Sequence, residues 1–473
     1  MTKPEGGSTV LSAAARLVLL FAGALALTAI ARPFGTPRSI QDLTATLALG
    51  PHAGECAQCH TTHAGDAPAP EPYLLIGPDD NTLCAGCHQA AWTGGSYAGL
   101  ALHEGGAHGS GVSMTWPGPE PPARTDADAA GKCVNCHDPH GREDANGLVP
   151  ALLHLREEQL CLTCHDGHPA EDDVLADLQK PYRHPVLDFS GRHDGPLESQ
   201  PQDFGVTPLD QRHAECADCH NVHVSRGDPL LGMTPPDASK KVLGVSRVRA
   251  IFGDLAPTFV FAAGSDTVTA PVTESQLCYK CHSSWTTQPA GQSDLAALLN
   301  PNNPSYHPVE APGRNLRIDP ASFTPGWSAT SYTRCDDCHG SDLGSTRGPH
   351  GSIHPAILRR DYTASPNPRV TSSDEVCFAC HSYDTYANQS SPQFMREASR
   401  FNGPMAQMGH TGHVDRERIP CFACHDSHGS ETQPHLIAEG RMPGIADYLQ
   451  SMNGGTCTTV CHGQQSYTVN YAR

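Results

Sequence analysis

Irregular coil carrying short α-helices, with one small β insertion at residues 241–273, is the fold class this sequence predicts. Three observations carry that prediction. Hydrophobic residues make up 38% of the 473-residue chain and aromatics only 6%, too little apolar side chain for a large sheet or bundle core. Glycine (45) and proline (41) recur often enough to interrupt any long helix or strand. All 20 cysteines fall into ten paired units, so a short local pattern repeats where long-range periodicity would otherwise stand.

The clearest unit is Lys132 to Gly141, K-C-V-N-C-H-D-P-H-G. Cys133 and Cys136 lie three apart, which on a short helix projects both thiols from one face, and His137 follows directly. Two thiols on the edge of a porphyrin, with the adjacent imidazole beneath the ring on its iron, is the attachment geometry of c-type haem. Nine units have this C-x-x-C-H spacing: Cys56, Cys59 and His60; Cys84, Cys87 and His88; Cys133, Cys136 and His137; Cys161, Cys164 and His165; Cys216, Cys219 and His220; Cys278, Cys281 and His282; Cys335, Cys338 and His339; Cys377, Cys380 and His381; Cys421, Cys424 and His425. The tenth, Cys457, Cys461 and His462, has one extra residue between its thiols and reads as a haem site with a widened loop. Zinc ribbons also pair C-x-x-C units but need no histidine after every second cysteine, and disulfide frameworks need none. Ten haem c groups are therefore the expected cofactors. Their apolar faces would supply the missing core, and folding would depend on their attachment.

Taken in order, residues 1–31 read as an export signal. Lys3 and Arg16 precede an apolar run from Leu17 to Ala31, and Ala29-Ile30-Ala31 offers a small-x-small cleavage site. That run is short for a membrane span of about 20 residues, and no later stretch could cross a bilayer. Five two-motif modules follow, at 52–115, 132–193, 213–312, 334–413 and 420–473. The first two are close copies, with motif starts 28 residues apart and a Pro and Leu-Leu pair between the motifs (Pro72, Leu74, Leu75; Pro150, Leu152, Leu153). The third carries the insertion, where Val, Ile, Phe and Thr alternate in part, as in a β-hairpin, and this is expected to form a lobe free of haem. Linkers at 117–122 and 301–313 are rich in Pro and Gly and are expected to be irregular surface backbone.

Ten of the 28 histidines are the proximal set, and ten distal partners are needed. His140 follows His137 by three on the expected helical face, with a tether too short to reach the far side of the same ring, so it should ligate a neighbouring iron. His63, His223 and His428 repeat that spacing. The fourth module has no histidine three after His339. Gly348-Pro349-His350-Gly351 appears later behind an inserted loop and offers His350, with His354 as rival. Second-motif haems should draw on linker histidines: His103 or His108, His184, His307, and His410 or His413. His184 and His307 share a His-Pro-Val context, in which proline stiffens the presenting loop. His52, His154, His193 and His213 read as surface or propionate-contacting residues, and His168, also three past a proximal histidine, stays open. Methionine is the competing axial ligand, and Met114, Met405 and Met408 lie nearest the candidates. Beyond His462 no histidine remains. The last haem must borrow its ligand, either His435 from within the chain or His52 of another copy, a head-to-tail contact that propagates into filaments unless it closes.

The C-x-x-C-H-x-x-H…Leu-C-x-x-C-H units resemble the doubled C-x-x-C-H family of multihaem cytochromes c. They are also similar to the extracellular cytochromes of metal-reducing bacteria, some of which polymerise into haem-chain filaments. The resemblance implies attachment of haem outside the cytoplasmic membrane, bis-histidine haems in alternating parallel and T-shaped contact, and electron passage along the row. Expected partners are redox proteins or extracellular acceptors. Nucleic acid is not among them, since the formal net charge is −19. The expectation is an exported, periplasmic or extracellular decahaem carrier that makes no bonds, because filled axial positions leave the iron no open site. The rival is a reductase of nitrite, hydroxylamine or a sulfur oxyanion, which needs an open position. The inserted loop at 341–349 and the widened last motif depart from the family, and the seventh and tenth sites are where such a position would arise.

Overall fold

The computed structural model describes residues 57, 59–61, 74–77, 81–88, 106–109, 133–145, 147–188, 214–226, 235–253, 256–265, 272–342, 344, 346–362, 369–402, 405 and 408–469. The export signal, Cys56, His52, His63, His103, His193, His213, Met114 and the 117–122 linker lie outside them. Among the described residues the longest helix is Ser275–His282, at eight residues. The rest is coil, single helical turns and small antiparallel sheets.

Most of the described motifs are built on a helical turn. In seven motifs the N–H of the proximal histidine donates to the carbonyl of the first cysteine, for example His137 to Cys133 (3.0 Å) and His339 to Cys335 (2.8 Å). Two of these turns are capped from within: Asp218 accepts from the Glu215 N–H, and Asp337 from the Arg334 N–H, both at 2.8 Å. The helix does not continue to the next histidine, contrary to the expected shared face of His137 and His140. Its turn spans Cys133–Asn135, His137 is extended and bridges Leu153, and Pro139 cannot prolong the helix. Asp138 turns the chain instead by accepting from the His140 N–H (3.0 Å), as Asn221 does for His223 (3.1 Å) and Asp426 for His428 (3.0 Å).

Strands β1 (Glu143–Asp144) and β2 (Gly147–Leu148) form a minimal hairpin. Strand β3 (Tyr182–Arg183) pairs with β7 (Gly351–Ser352), and β6 (Ser305–Tyr306) with β8 (Gly429–Ser430), so each short ladder joins a linker to a later module. At both ladders a glycine lets a neighbouring carbonyl approach closely. A Cβ on Gly351 would overlap the Asp177 carbonyl, and one on Gly429 the Leu298 carbonyl. Contrary to expectation, the 301–313 linker is not surface coil: Ser305, Tyr306 and Val309 are buried.

The insertion forms a hairpin of β4 (Arg247–Ile251) and β5 (Thr258–Ala262). It is not a separate lobe, because Val248 packs with Tyr279, Trp285, Ala296, Leu299 and Val309 against the helix that carries Cys278. Burying an aliphatic side chain such as Val248 or Leu299 contributes about 1.5–3 kcal/mol. A three-stranded meander of β9 (Ile445–Ser451), β10 (Gly454–Thr459) and β11 (Gly463–Thr468) was not foreseen. It packs Ile445 and Tyr448 on Ile437. The tenth motif lies on this sheet: Cys457 is mid-strand opposite Tyr448 and Gln465, while Cys461 and His462 sit in the β10–β11 loop.

Candidate haem-binding row

Nine proximal histidines each face a second histidine at nearly constant separation. First-motif residues pair forward: His60 with His140 (5.9 Å between ring centres), His137 with His223 (6.2 Å), His220 with His350 (6.1 Å) and His339 with His428 (6.0 Å). Second-motif residues pair backward, to the linker ahead of their module: His165 with His108 (6.0 Å), His282 with His184 (6.3 Å) and His381 with His307 (6.4 Å). In the last module His425 faces His410 (6.3 Å) and His462 faces His413 (6.1 Å). Two imidazoles bound to one metal ion at about 2.0 Å, with ring centres about 1.1 Å behind the bonded nitrogens, have centres about 6.2 Å apart. The residues present therefore fit an iron held between two imidazoles, nine times over.

The space around these pairs fits as well. One continuous cavity of about 4550 Å³, lined from Cys59 to Thr468, contains all nine pairs. Ordinary small-molecule pockets hold about 300–1,000 Å³.

Three first-motif imidazoles, those of His137, His339 and His425, are held by a repeated clamp. Pro150-Ala151-Leu152-Leu153, Pro355-Ala356-Ile357-Leu358 and Pro434-His435-Leu436-Ile437 each place two successive residues in the left-handed region, with φ of 52–59°. Left-handed non-glycine residues cost about 1–2 kcal/mol each and persist where their surroundings demand them. The demand is visible. The first strained carbonyl accepts from the proximal Nδ1–H: Ala151 from His137 (2.9 Å), Ala356 from His339 (2.8 Å) and His435 from His425 (2.9 Å). The second accepts from the residue after that histidine: Leu152 from Asp138 (2.6 Å), Ile357 from Gly340 (2.7 Å) and Leu436 from Asp426 (2.8 Å). The Leu-Leu pairs at 74–75 and 152–153 thus have a function the sequence reading did not assign. The copies at 355–358 and 434–437 were missed, although their Pro-x-[Leu/Ile]-[Leu/Ile] spelling was available. In the third module the Lys241 carbonyl takes the same place on His220 (3.1 Å).

The distal rings are held too. His184 Nδ1 lies 2.6 Å from the Pro349 carbonyl and His307 Nδ1 2.5 Å from that of Ser427, each just before the distal histidine of the next module. Donation from Nδ1 leaves the Nε2 lone pair for a metal. Burial favours the neutral ring that ligation requires. It lowers His137, His165, His184, His220, His307, His339 and His425, and it takes His350, His381 and His428 down to about 4. His350 gains further support from its inserted loop. Thr346 Oγ1 lies 3.2 Å from its Nδ1 and donates to buried Asp177, which also binds Lys180 (2.6 Å).

Among the described cysteines none is joined in a disulfide, and among the described residues no three His, Cys, Asp or Glu side chains converge as a metal cluster. Burial pushes the Cys136 and Cys338 thiols up to about 11 and those of Cys219, Cys380 and Cys424 up to about 12. Where one module meets the next, first cysteines touch: Cys161 with Cys216, Cys278 with Cys335, and Cys377 with Cys421. At three of the junctions a side chain of the earlier module accepts from the backbone of the later motif: Asn81 from the Cys133 N–H (2.8 Å), Glu157 from that of Ala217 (2.5 Å) and Glu274 from that of Asp336 (2.7 Å).

The other candidates are placed as follows. His435 contributes its backbone to the clamp on His425, and His413 takes the position facing His462 for which His435 or His52 was the expected donor. His410 and His413, alternatives in the sequence, are both used. His354 starts the turn at 355–357, its N–H donating to Ser352 Oγ (2.9 Å). His154 is buried with its Nε2 2.8 Å from the Val134 carbonyl. Met405 and Met408 are exposed.

A family model for the doubled CXXCH motif matches residues 50–92 and 127–170, the first two modules. No curated protein and no solved structure matches the chain. On the strength of those two matched segments, the chain carries the paired-motif signature of the multihaem c-type cytochromes.

Proposed function

We propose that this chain is an exported decahaem cytochrome c whose haems are each ligated by two histidines, and that it carries electrons without making or breaking bonds. The observation that supports this reading most is the repeated separation of 5.9–6.4 Å between paired imidazole centres. Haem c, when bound, supplies a reversible one-electron change at iron. The protein's own share is to anchor, orient and enclose. Paired thiols fix the porphyrin edge, the left-handed clamps aim the proximal imidazole, and the linker ladders aim the distal one. Contact between first cysteines at three junctions brings the attachment edges of consecutive sites together, as a continuous electron path requires.

His428 opposite His339, and His413 opposite His462, stand at the two sites where an open reductase position was expected. The motive for a borrowed ligand from a second copy falls away with His413. The leader at 1–31 and attachment of haem outside the cytoplasm support an exported location, with redox proteins or extracellular acceptors as partners. Among the described residues no helix is long and apolar enough to cross a membrane. Intact mass of the purified exported protein tests the reading. Ten haem additions with low-spin spectra, unchanged by cyanide or nitrite, are expected. A colourless protein at bare polypeptide mass would end it.

A further inference from the structure

The nine imidazole pairs divide by interplanar angle, without overlap. On first motifs the angles are 16°, 20°, 20°, 6° and 27°. On second motifs they are 68°, 59°, 63° and 48°. From the third motif to the tenth, near-parallel and crossed pairs therefore alternate along the chain.

The backbone provides a reason for the division. Four of the near-parallel pairs take their distal histidine from a later module, three of them through an Asx turn. Two of the crossed pairs take it from a His-Pro-Val segment, whose ring is aimed by the Pro349 or Ser427 carbonyl across the β3–β7 or β6–β8 ladder. For the last module both distal histidines come from one short helical stretch just ahead of it, His410 within Gly409–Thr411 and His413 within Gly412–Arg416, yet the near-parallel and crossed angles are kept. The angle persists although its local support has changed.

We propose that the two ways of presenting the distal histidine divide the haems into two electronic classes that alternate along the row. This rests on the bis-histidine reading above and goes beyond it. An imidazole donates π density into the iron d orbital normal to its plane. Parallel planes raise one d orbital together, whereas crossed planes act on two alike and leave them nearly equal. Oxidised low-spin iron has one vacancy in this set, and the vacancy gains energy by occupying a raised orbital. Reduced iron fills the set and gains nothing. Parallel planes thus favour the oxidised state, and crossed sites accept an electron first where burial and neighbouring charge are alike.

Electron paramagnetic resonance of the fully oxidised, full-length protein tests this directly. Two low-spin families in about equal amounts are expected, a rhombic set and a ramp-shaped set at larger g, with the ramp-shaped set lost first in a reductive titration. A single family, or loss of the rhombic set first, overturns the proposal while leaving a haem-loaded carrier intact. A protein without haem absorption overturns both readings. Gly429→Ala, whose Cβ would meet the Leu298 and Ser305 carbonyls, should displace the segment that carries β6 and loosen the His307 ring, moving one site's share of the large-g signal while haem content stays at ten. An unchanged spectrum from that folded, fully loaded variant would remove the ladder as the cause.

Discussion

The interior modules and the last module meet the same demand by different means. In the interior, the partner of His220 comes from a module ahead (His350) and the partner of His282 from the linker behind (His184), and β3 and β7 tie those two stretches together. For the last module both partners, His410 and His413, come from the stretch just ahead of it, three residues apart. The second motif rides on a β-meander in place of a helix. What stays constant is the separation of the rings, together with the left-handed clamp on His425. The required geometry belongs to the metal, and the backbone route to it is free to vary.

That contrast can be broken at its anchors. Replacing Cys335 and Cys338 by serine removes an interior site whose surroundings join two modules, and the yield of soluble, haem-loaded protein should fall several-fold or more. The same change at Cys457 and Cys461 should leave a folded protein one haem short. Equal losses, read by intact mass and yield, would mean the last module is as deeply integrated as the others. A smaller effect is expected from the distal ligands. His307→Ala and His413→Ala should each convert one haem to a high-spin form that binds carbon monoxide. Only the first should also weaken the β6–β8 ladder, visible as faster amide exchange near Ser305 and Ser430.

The junction acid sharpens the comparison through pH. Burial, with the Asp336 carboxyl close by, pushes Glu274 up to about 9. The folded state then keeps a proton that the unfolded chain releases near 4.5, so this contribution to stability is complete below that value and lost as pH rises toward 9. Glu274→Gln retains the acceptor for the Asp336 N–H. Its denaturation midpoint should match the parent at acid pH and exceed it at pH near 9, in parallel unfolding curves. The smallest effect belongs to the strained turn. Ala356→Gly in the interior and His435→Gly in the last module should each stabilise by about 0.5–1 kcal/mol, because glycine accepts positive φ. The visible spectrum should not change in either variant. A spectral change at His435 would restore that imidazole as a ligand.

What the sequence revealed was what lies within a few residues. Cysteine pairs, the adjacent histidine and the His-x-x-His spacing could be read because one turn of backbone builds them. The insertion at 241–273 could be read because β-branched and aromatic residues cluster there. Which imidazole faces which could not be read fully. His220 and His350 meet across an inserted loop, and choosing His413 over His435 for His462 depends on a contact between segments about fifty residues apart. The β9–β11 meander escaped notice because its strands, Gly454–Thr459 above all, are small and polar and show little alternation. The Pro-x-Leu-Leu signal was seen twice, but its purpose lies in carbonyl direction, which composition does not encode.

The forward pairing of first-motif histidines also sets an order in time. A chain emerging from its N-terminus would present His220 well before His350 exists to face it, so every partly delivered or severed molecule ends in a half-finished site. Cleavage between the third and fourth modules would leave a reactive iron at that boundary, able to capture carbon monoxide or oxygen. The final module takes both of its partners from the short helical stretch just ahead of it, so a cut there would strip both of its sites at once.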